Sequence, residues 1–193
     1  MCRFVQVVSF LAAGFCSTAA PAAVVPLTFA EMTQKSKFVM PGEVIDVRSY
    51  RAPFHDLGEV MFTDVTIRIE NVMKGAPTTR EVTIQVLGGE IGTAFQKCLE
   101  SAQYEKGEKV LVFLRDYHNA IWNTGWLQGK YRLDPSGTVV RGDAKLPIAR
   151  DLALSVVQAE VRRILATPSA PGAVEPGRTQ PLETQPAKEG GAK

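Results

Sequence analysis

The residues able to do chemistry are few and scattered. The two histidines are His55, in Phe54-His55-Asp56, and His118, in Asp116-Tyr117-His118-Asn119. Two imidazoles and a carboxylate make a divalent-metal site if their loops meet, but nothing in the sequence brings them together. The expectation is two solvated loop histidines and no metal or other cofactor. Cys98 is a candidate nucleophile, yet a cysteine enzyme needs a partnered base and no histidine lies near it in sequence. Its segment, Thr93 to Leu99, predicts a thiol packed as a small buried hydrophobe. The chain contains no G-x-S-x-G, no H-E-x-x-H, no phosphate-cradling G-x-x-x-x-G-K and no C-x-x-C. No catalytic residue is assigned, and the expectation is a protein that is not an enzyme.

Binding residues are easier to nominate. Arg48, Tyr50, Arg51 and Phe54 mix basic and aromatic side chains in what reads as a loop, Arg48 to Leu57, after the first strand. Gly88 and Gly89 lead into Glu90-Ile91-Gly92, a glycine-rich turn suited to a sharp corner or to close approach of a ligand. Trp122 and Trp126 lie four apart in a segment read as one strand, so their indoles share a face, either as a stacking platform or as core. The nominated binding residues are therefore Tyr50, Arg51, Phe54, Gly88, Gly89 and Trp126, the first five held in loops at one end of a rigid scaffold and Trp126 on a strand.

That scaffold is legible in the alternation of apolar residues. Val65, Ile67 and Ile69 alternate with polar neighbours, as do Val82, Ile84 and Val86, which is the period of half-buried antiparallel strands. Val110 to Leu114 is continuously apolar, as in a strand covered on both faces. Phe38 to Val47, Ala120 to Leu127, Lys130 to Leu133 and Thr138 to Arg141 supply further strands, the last two joined by Asp134-Pro135-Ser136-Gly137. Leu154, Val157, Val161, Ile164 and Leu165 fall on one helical face and predict a helix from Ile148 to Leu165, with Pro147 near its start. A short helix is expected within Leu27 to Ser36. The fold class is mainly β: a small five- to seven-stranded barrel of the oligonucleotide/oligosaccharide-binding kind, or a sandwich, with a C-terminal helix.

Both ends of the chain have separate roles. Arg3 is the only charge in the first 30 residues; an apolar run from Phe4 to Phe15 and small residues through Ala20-Pro21-Ala22 follow it. This predicts a signal peptide over residues 1–22, cleaved after Ala22, since a membrane span needs about 20 apolar residues. The product is periplasmic or secreted, with Cys98 its one cysteine and no stable membrane insertion. From Thr167 to Lys193 there are five prolines, four glycines and no aromatic residue, which predicts a disordered tail. Residues 23–166 are then the folded domain. A net charge of +2 over 193 residues falls short of a dedicated nucleic-acid binder, and export also argues against nucleic acid as a partner.

The series Pro41-Gly42-Glu43-Val44, Val72-Met73-Lys74-Gly75, Leu87-Gly88-Gly89, Gly107 to Leu114 and Gln128-Gly129-Lys130-Tyr131 resembles a set of uncharacterised exported bacterial domains. Their pattern is similar to the barrel of tissue inhibitors of metalloproteases and of netrin-like modules. The resemblance implies a barrel and an exported binding role. The N-terminal cysteine and disulfides of those inhibitors have no counterpart in this chain. The functional expectation is a non-enzymatic binding or interaction module of the bacterial envelope whose partner is an envelope or extracellular protein. An inhibitor of an exported protease and a small metal-dependent hydrolase are the alternatives.

Overall fold

One long strand organises the structure. β1 runs for 16 residues, Phe38–Pro53. The structure is a computed structural model that describes residues 25–54, 58–140 and 151–167. Ahead of β1 lies helix α1, Phe29–Lys35. Thr28 begins it with a capping box: the Glu31 carboxylate accepts from the Thr28 amide at 2.8 Å and the Thr28 hydroxyl accepts from the Glu31 amide at 3.2 Å. After β1 come β2 (Glu59–Ile69), β3 (Glu81–Leu87), β4 (Gly89–Ile91) and β5 (Ala94–Gln96). Then follow β6 (Lys109–Tyr117), β7 (Ala120–Asn123), β8 (Lys130–Leu133), β9 (Thr138–Val140), β10 (Leu152–Ala153) and helix α2 (Leu154–Ala166).

The main sheet is antiparallel, in the order β10-β9-β8-β6-β1-β2-β3, with β7 also paired to β6. β4 and β5 form a separate hairpin. Among the described residues no ladder joins β3 to β7, so the sheet is not closed. The mainly β class and the C-terminal helix are as expected. Among the described residues, no helix is long and apolar enough to cross a membrane.

Strand β6 shows why the apolar run Val110 to Leu114 is unbroken. Val110, Val112 and Leu114 enter one core with Met40, Val44, Val65, Ile67 and Ile84. Leu111 and Phe113 point the other way, into a second core with Met32, Tyr131, Val157 and Val161 that lies under the two helices. All five residues from Val110 to Leu114 are fully buried. The hairpin between β8 and β9 is tied by Asp134, whose carboxylate accepts from Ser136 N at 2.9 Å and Thr138 N at 2.8 Å.

Four expectations are corrected. The stretch Arg48 to Pro53, read as loop, continues β1 and pairs with Glu59–Asp64 of β2, because the long β2 offers it a complete ladder. The strand read as Ala120 to Leu127 ends at Asn123. Gly125, in the left-handed conformation at φ 67°, then starts a 3-10 turn over Trp126–Gly129. The turn read at Gly88 to Gly92 contains strand β4, and the reversal itself lies at Gly92-Thr93, between β4 and β5. The helix expected from Ile148 begins at Leu154, after the two-residue strand β10 has paired with β9. Residues 1–24, 55–57, 141–150 and 168–193 lie outside the described residues. The signal peptide, the residues on either side of its cleavage point, His55, Pro147 and nearly all of the tail fall among them.

Candidate functional site

The nominated residues separate onto two faces of one strand. Successive side chains of β1 point to opposite sides of the sheet. Tyr50 and Phe54 therefore face one way, and Ser49 and Arg51 the other. Tyr50 and Phe54 join an aromatic cluster with Phe62, Trp122, Tyr117 and Trp126. Phe54 meets Phe62 edge-on at 5.5 Å, and Trp126 meets Trp122 edge-on at 5.7 Å. The Tyr50 hydroxyl donates to Asp64 at 3.2 Å and accepts from Gln85. Burial is the largest influence on that phenol and raises its pKa. This cluster is half-buried and filled by its own rings. Trp126, at φ 59°, is held in a backbone conformation that tryptophan rarely adopts, so its indole lies against Trp122 at some cost in strain.

Gly88 and Gly89 belong elsewhere. They lie on the opposite side of β1, in the wall of a groove of about 730 Å³ bounded by Val47, Ser49, Thr63, Phe95 and Tyr104. Both have positive φ, 91° and 146°. A Cβ on Gly88 would come within 2.6 Å of the Gln96 carbonyl oxygen, and one on Gly89 would collide with the hydroxyls of Thr63 and Ser49. Glycine is thus required for the β4–β5 hairpin to fold down against β1 and β2. The Gln96 side chain fastens the hairpin from its other strand, accepting from the Met61 amide at 2.8 Å. The groove floor is hydroxylic: Ser49 and Thr63 lie 2.9 Å apart, and Thr63 donates to the Gly88 carbonyl at 2.7 Å.

Phe95 is the most exposed large apolar residue in the groove lining, and Leu99 follows it in the chain. Phe95, in β5, is 78% exposed, and Leu99, just beyond the hairpin, is 81% exposed. Cys98 lies between Phe95 and Leu99 in the chain and is only half-buried, so the expectation of a buried small hydrophobe holds only in part. Sequence reading missed Phe95 and Leu99. The signal was present in Phe95-Gln96-Lys97-Cys98-Leu99, where apolar residues are spaced four apart in a segment too short and too polar for a core strand.

A second missed feature stands behind the groove wall. The Tyr104 ring lines the groove while its hydroxyl, facing inward, donates to Asn123 at 2.9 Å. Burial pushes the Tyr104 phenol far above its ordinary range. Lys130 lies over the same ring at 4.5 Å, bonds Glu108 at 2.7 Å and donates to the Gln103 carbonyl. Burial lowers the Lys130 pKa, and the Glu108 carboxylate opposes that shift. The four residues come from distant parts of the sequence, so no spacing signals them. Every polar end in the group has a partner within it, and together they fix the segment Gln103–Glu108 beside the groove.

His118 occupies the two-residue turn between β6 and β7 together with Asn119, at φ 46° and 62°. Its ring meets Tyr117 edge-on at 4.1 Å. Among the described residues no three metal-ligating side chains come together. The groove offers backbone groups, two hydroxyls and apolar walls, an arrangement suited to holding a ligand by hydrogen bonds and contact area. Compared with known proteins, the chain matches no family model and no curated relative.

Proposed function

We propose that the protein is an exported, non-enzymatic binding module of the bacterial envelope, and that it recognises a partner protein through the groove beneath the β4–β5 hairpin. One observation carries this reading: Phe95, 78% exposed, lines a groove of about 730 Å³, and Leu99, 81% exposed, follows it four residues later in the chain. Exposed apolar residues are ordinary when single, but an exposed phenylalanine in the wall of a concave site, with a second large apolar residue close by in the chain, matches the anchors of an interface. The hairpin is also fixed from both strands, by Gly88-Gly89 and by Gln96, so the lip is preorganised and little ordering entropy opposes binding. The export element rests on the N-terminal run from Arg3 to Ala22.

The test is capture from an envelope extract by the wild-type protein and by a Phe95→Ser, Leu99→Ser double variant. A partner retained by the wild type should be lost from the variant, with affinity lowered by about 2 kcal/mol or more, while the circular dichroism spectrum is unchanged. A partner held equally by both proteins would place recognition away from the hairpin.

A further inference from the structure

Strand β1 is paired on both sides only as far as its bulge. From Phe38 to Glu43 it has β6 as a neighbour, and β2 joins it on the other side from Gly42. Val44 still bonds the β6 side, its amide donating to Glu108 at 2.9 Å and its carbonyl accepting from Gly107 at 2.7 Å. The register then shifts between Val44 and Asp46. Beyond the shift, Asp46 to Pro53 pair with β2 alone.

The direction of each backbone group follows from the ladder. The Phe54 amide donates to the Gly58 carbonyl at 2.9 Å, and Ala52↔Val60 and Tyr50↔Phe62 continue the same register. Even-numbered residues of this half therefore turn their N–H and C=O groups toward β2, and odd-numbered ones turn theirs away. The bond from the Gly88 amide to the Met61 carbonyl shows the matching parity on β2, whose odd residues face β3. Val47, Ser49 and Arg51 thus present three donors and three acceptors outward. Among the described residues these groups have no backbone partner. Val47 and Ser49 also stand in the wall of the groove. Pro53 closes this edge at one end and the bulge closes it at the other, which are two ways that folds protect an edge, but the stretch between them is open.

Charge narrows the occupant. Lys97 and Glu90 line the groove and balance in charge, while Arg51, on the same side of β1 by strand alternation but outside that lining, is exposed; among the described residues none of the three is in an ion pair. One positive charge is in excess. We infer that the outward edge of β1 at Val47, Ser49 and Arg51 docks an extended, acidic peptide segment of a partner protein as an added strand, its alternate side chains entering the groove. This rests on the binding reading above and specifies the conformation and charge of what is bound.

The probe is a displayed library of random twelve-residue peptides selected on the full chain. A selected peptide is then synthesised unmodified, with alternate amides N-methylated in each of the two registers, and with its acidic residues amidated. The expected peptide slows hydrogen exchange at Val47, Ser49 and Arg51 about tenfold or more. N-methylation in one register abolishes binding and in the other is tolerated, and amidation weakens binding about fivefold. Arg51→Pro removes one outward donor without touching a bond to β2 and should weaken binding about tenfold; Arg51→Gln should cost only the charge contribution. The N-methyl series decides the matter even if Arg51→Pro fails to fold.

Peptides that bind without slowing those three amides, or that tolerate N-methylation in both registers, would overturn the edge proposal and leave recognition by side chains standing. A library that yields no binder would overturn it as well, while capture through Phe95 and Leu99 judges the binding reading separately. Dimers of the chain that dissociate on Arg51→Pro would assign the edge to a second copy and overturn the proposal.

Discussion

Lys130 and Glu108 form an ion pair at 2.7 Å in which each side chain is only 14% exposed. Removing one partner strands the other charge in a desolvated site. Lys130→Met should therefore lower stability by about 3 kcal/mol, whereas Lys130→Met with Glu108→Leu should recover at least half of that loss. Urea denaturation of the two variants and the wild type measures both quantities. A double variant less stable than the single one would show that the pair stabilises beyond its own desolvation cost.

Asp134 supplies a pH dependence with a definite sign. Hydrogen bonds from Ser136 and Thr138 hold its carboxyl below the ordinary carboxylate range. A folded-state pKa below the unfolded one contributes stability that is complete above the unfolded value and is lost as pH falls through the folded value. Asp134→Ala should thus melt below the wild type at neutral pH, and the gap should narrow as pH falls below about 4. Melting curves from pH 7 to pH 2 check this; a gap independent of pH would mean that ionisation of Asp134 contributes nothing to the stability of the turn.

Gly89 is the position where a single methyl group does most harm to the groove. A Cβ there meets the hydroxyls of Ser49 and Thr63, and the residue sits at φ 146°. Gly89→Ala should cost about 1–3 kcal/mol and displace the hairpin, abolishing capture of any partner bound beneath it. Gly92→Ala is the control, since nothing lies within 4 Å of its added Cβ and only its φ of 61° opposes the change. Equal effects of the two substitutions on capture would mean that close packing at Gly89 is irrelevant to the site.

Trp126 separates the two faces of β1. Its half-buried indole packs on Trp122 in the aromatic cluster, away from the groove. Trp126→Ala should lower stability by about 2 kcal/mol, less than a fully buried tryptophan would, and leave capture unchanged. Loss of capture with little loss of stability would move recognition to the aromatic face.

Much of the fold was legible because β2, β3 and β6 bury their side chains in a regular period. The Arg48 to Phe54 stretch was misread for a physical reason. Its alternating residues Tyr50, Ala52 and Phe54 do carry a period of two, but they pack in a cluster outside the main cores, and polar Arg48 and Ser49 before them with Arg51 and Pro53 between them suggest a loop. The site was legible in part. Gly88 and Gly89 announced a backbone constraint, whereas the Tyr104, Asn123, Lys130 and Glu108 group depends on contacts between segments far apart in sequence, which no local pattern records. Trp126 looked like a strand neighbour of Trp122 because spacing of four suits a strand, while the left-handed Gly125 turned the chain between them.

Recognition through the groove requires that Phe95 touch a partner in the cell. A photo-crosslinking benzoylphenylalanine placed at position 95 can be compared with one at Val156, an apolar residue of α2 that is 51% exposed. A discrete adduct is expected from position 95, absent at position 156 and lost when Gly89 is changed to Ala. An adduct from position 156 with none from position 95 would place recognition away from the groove and overturn binding through Phe95.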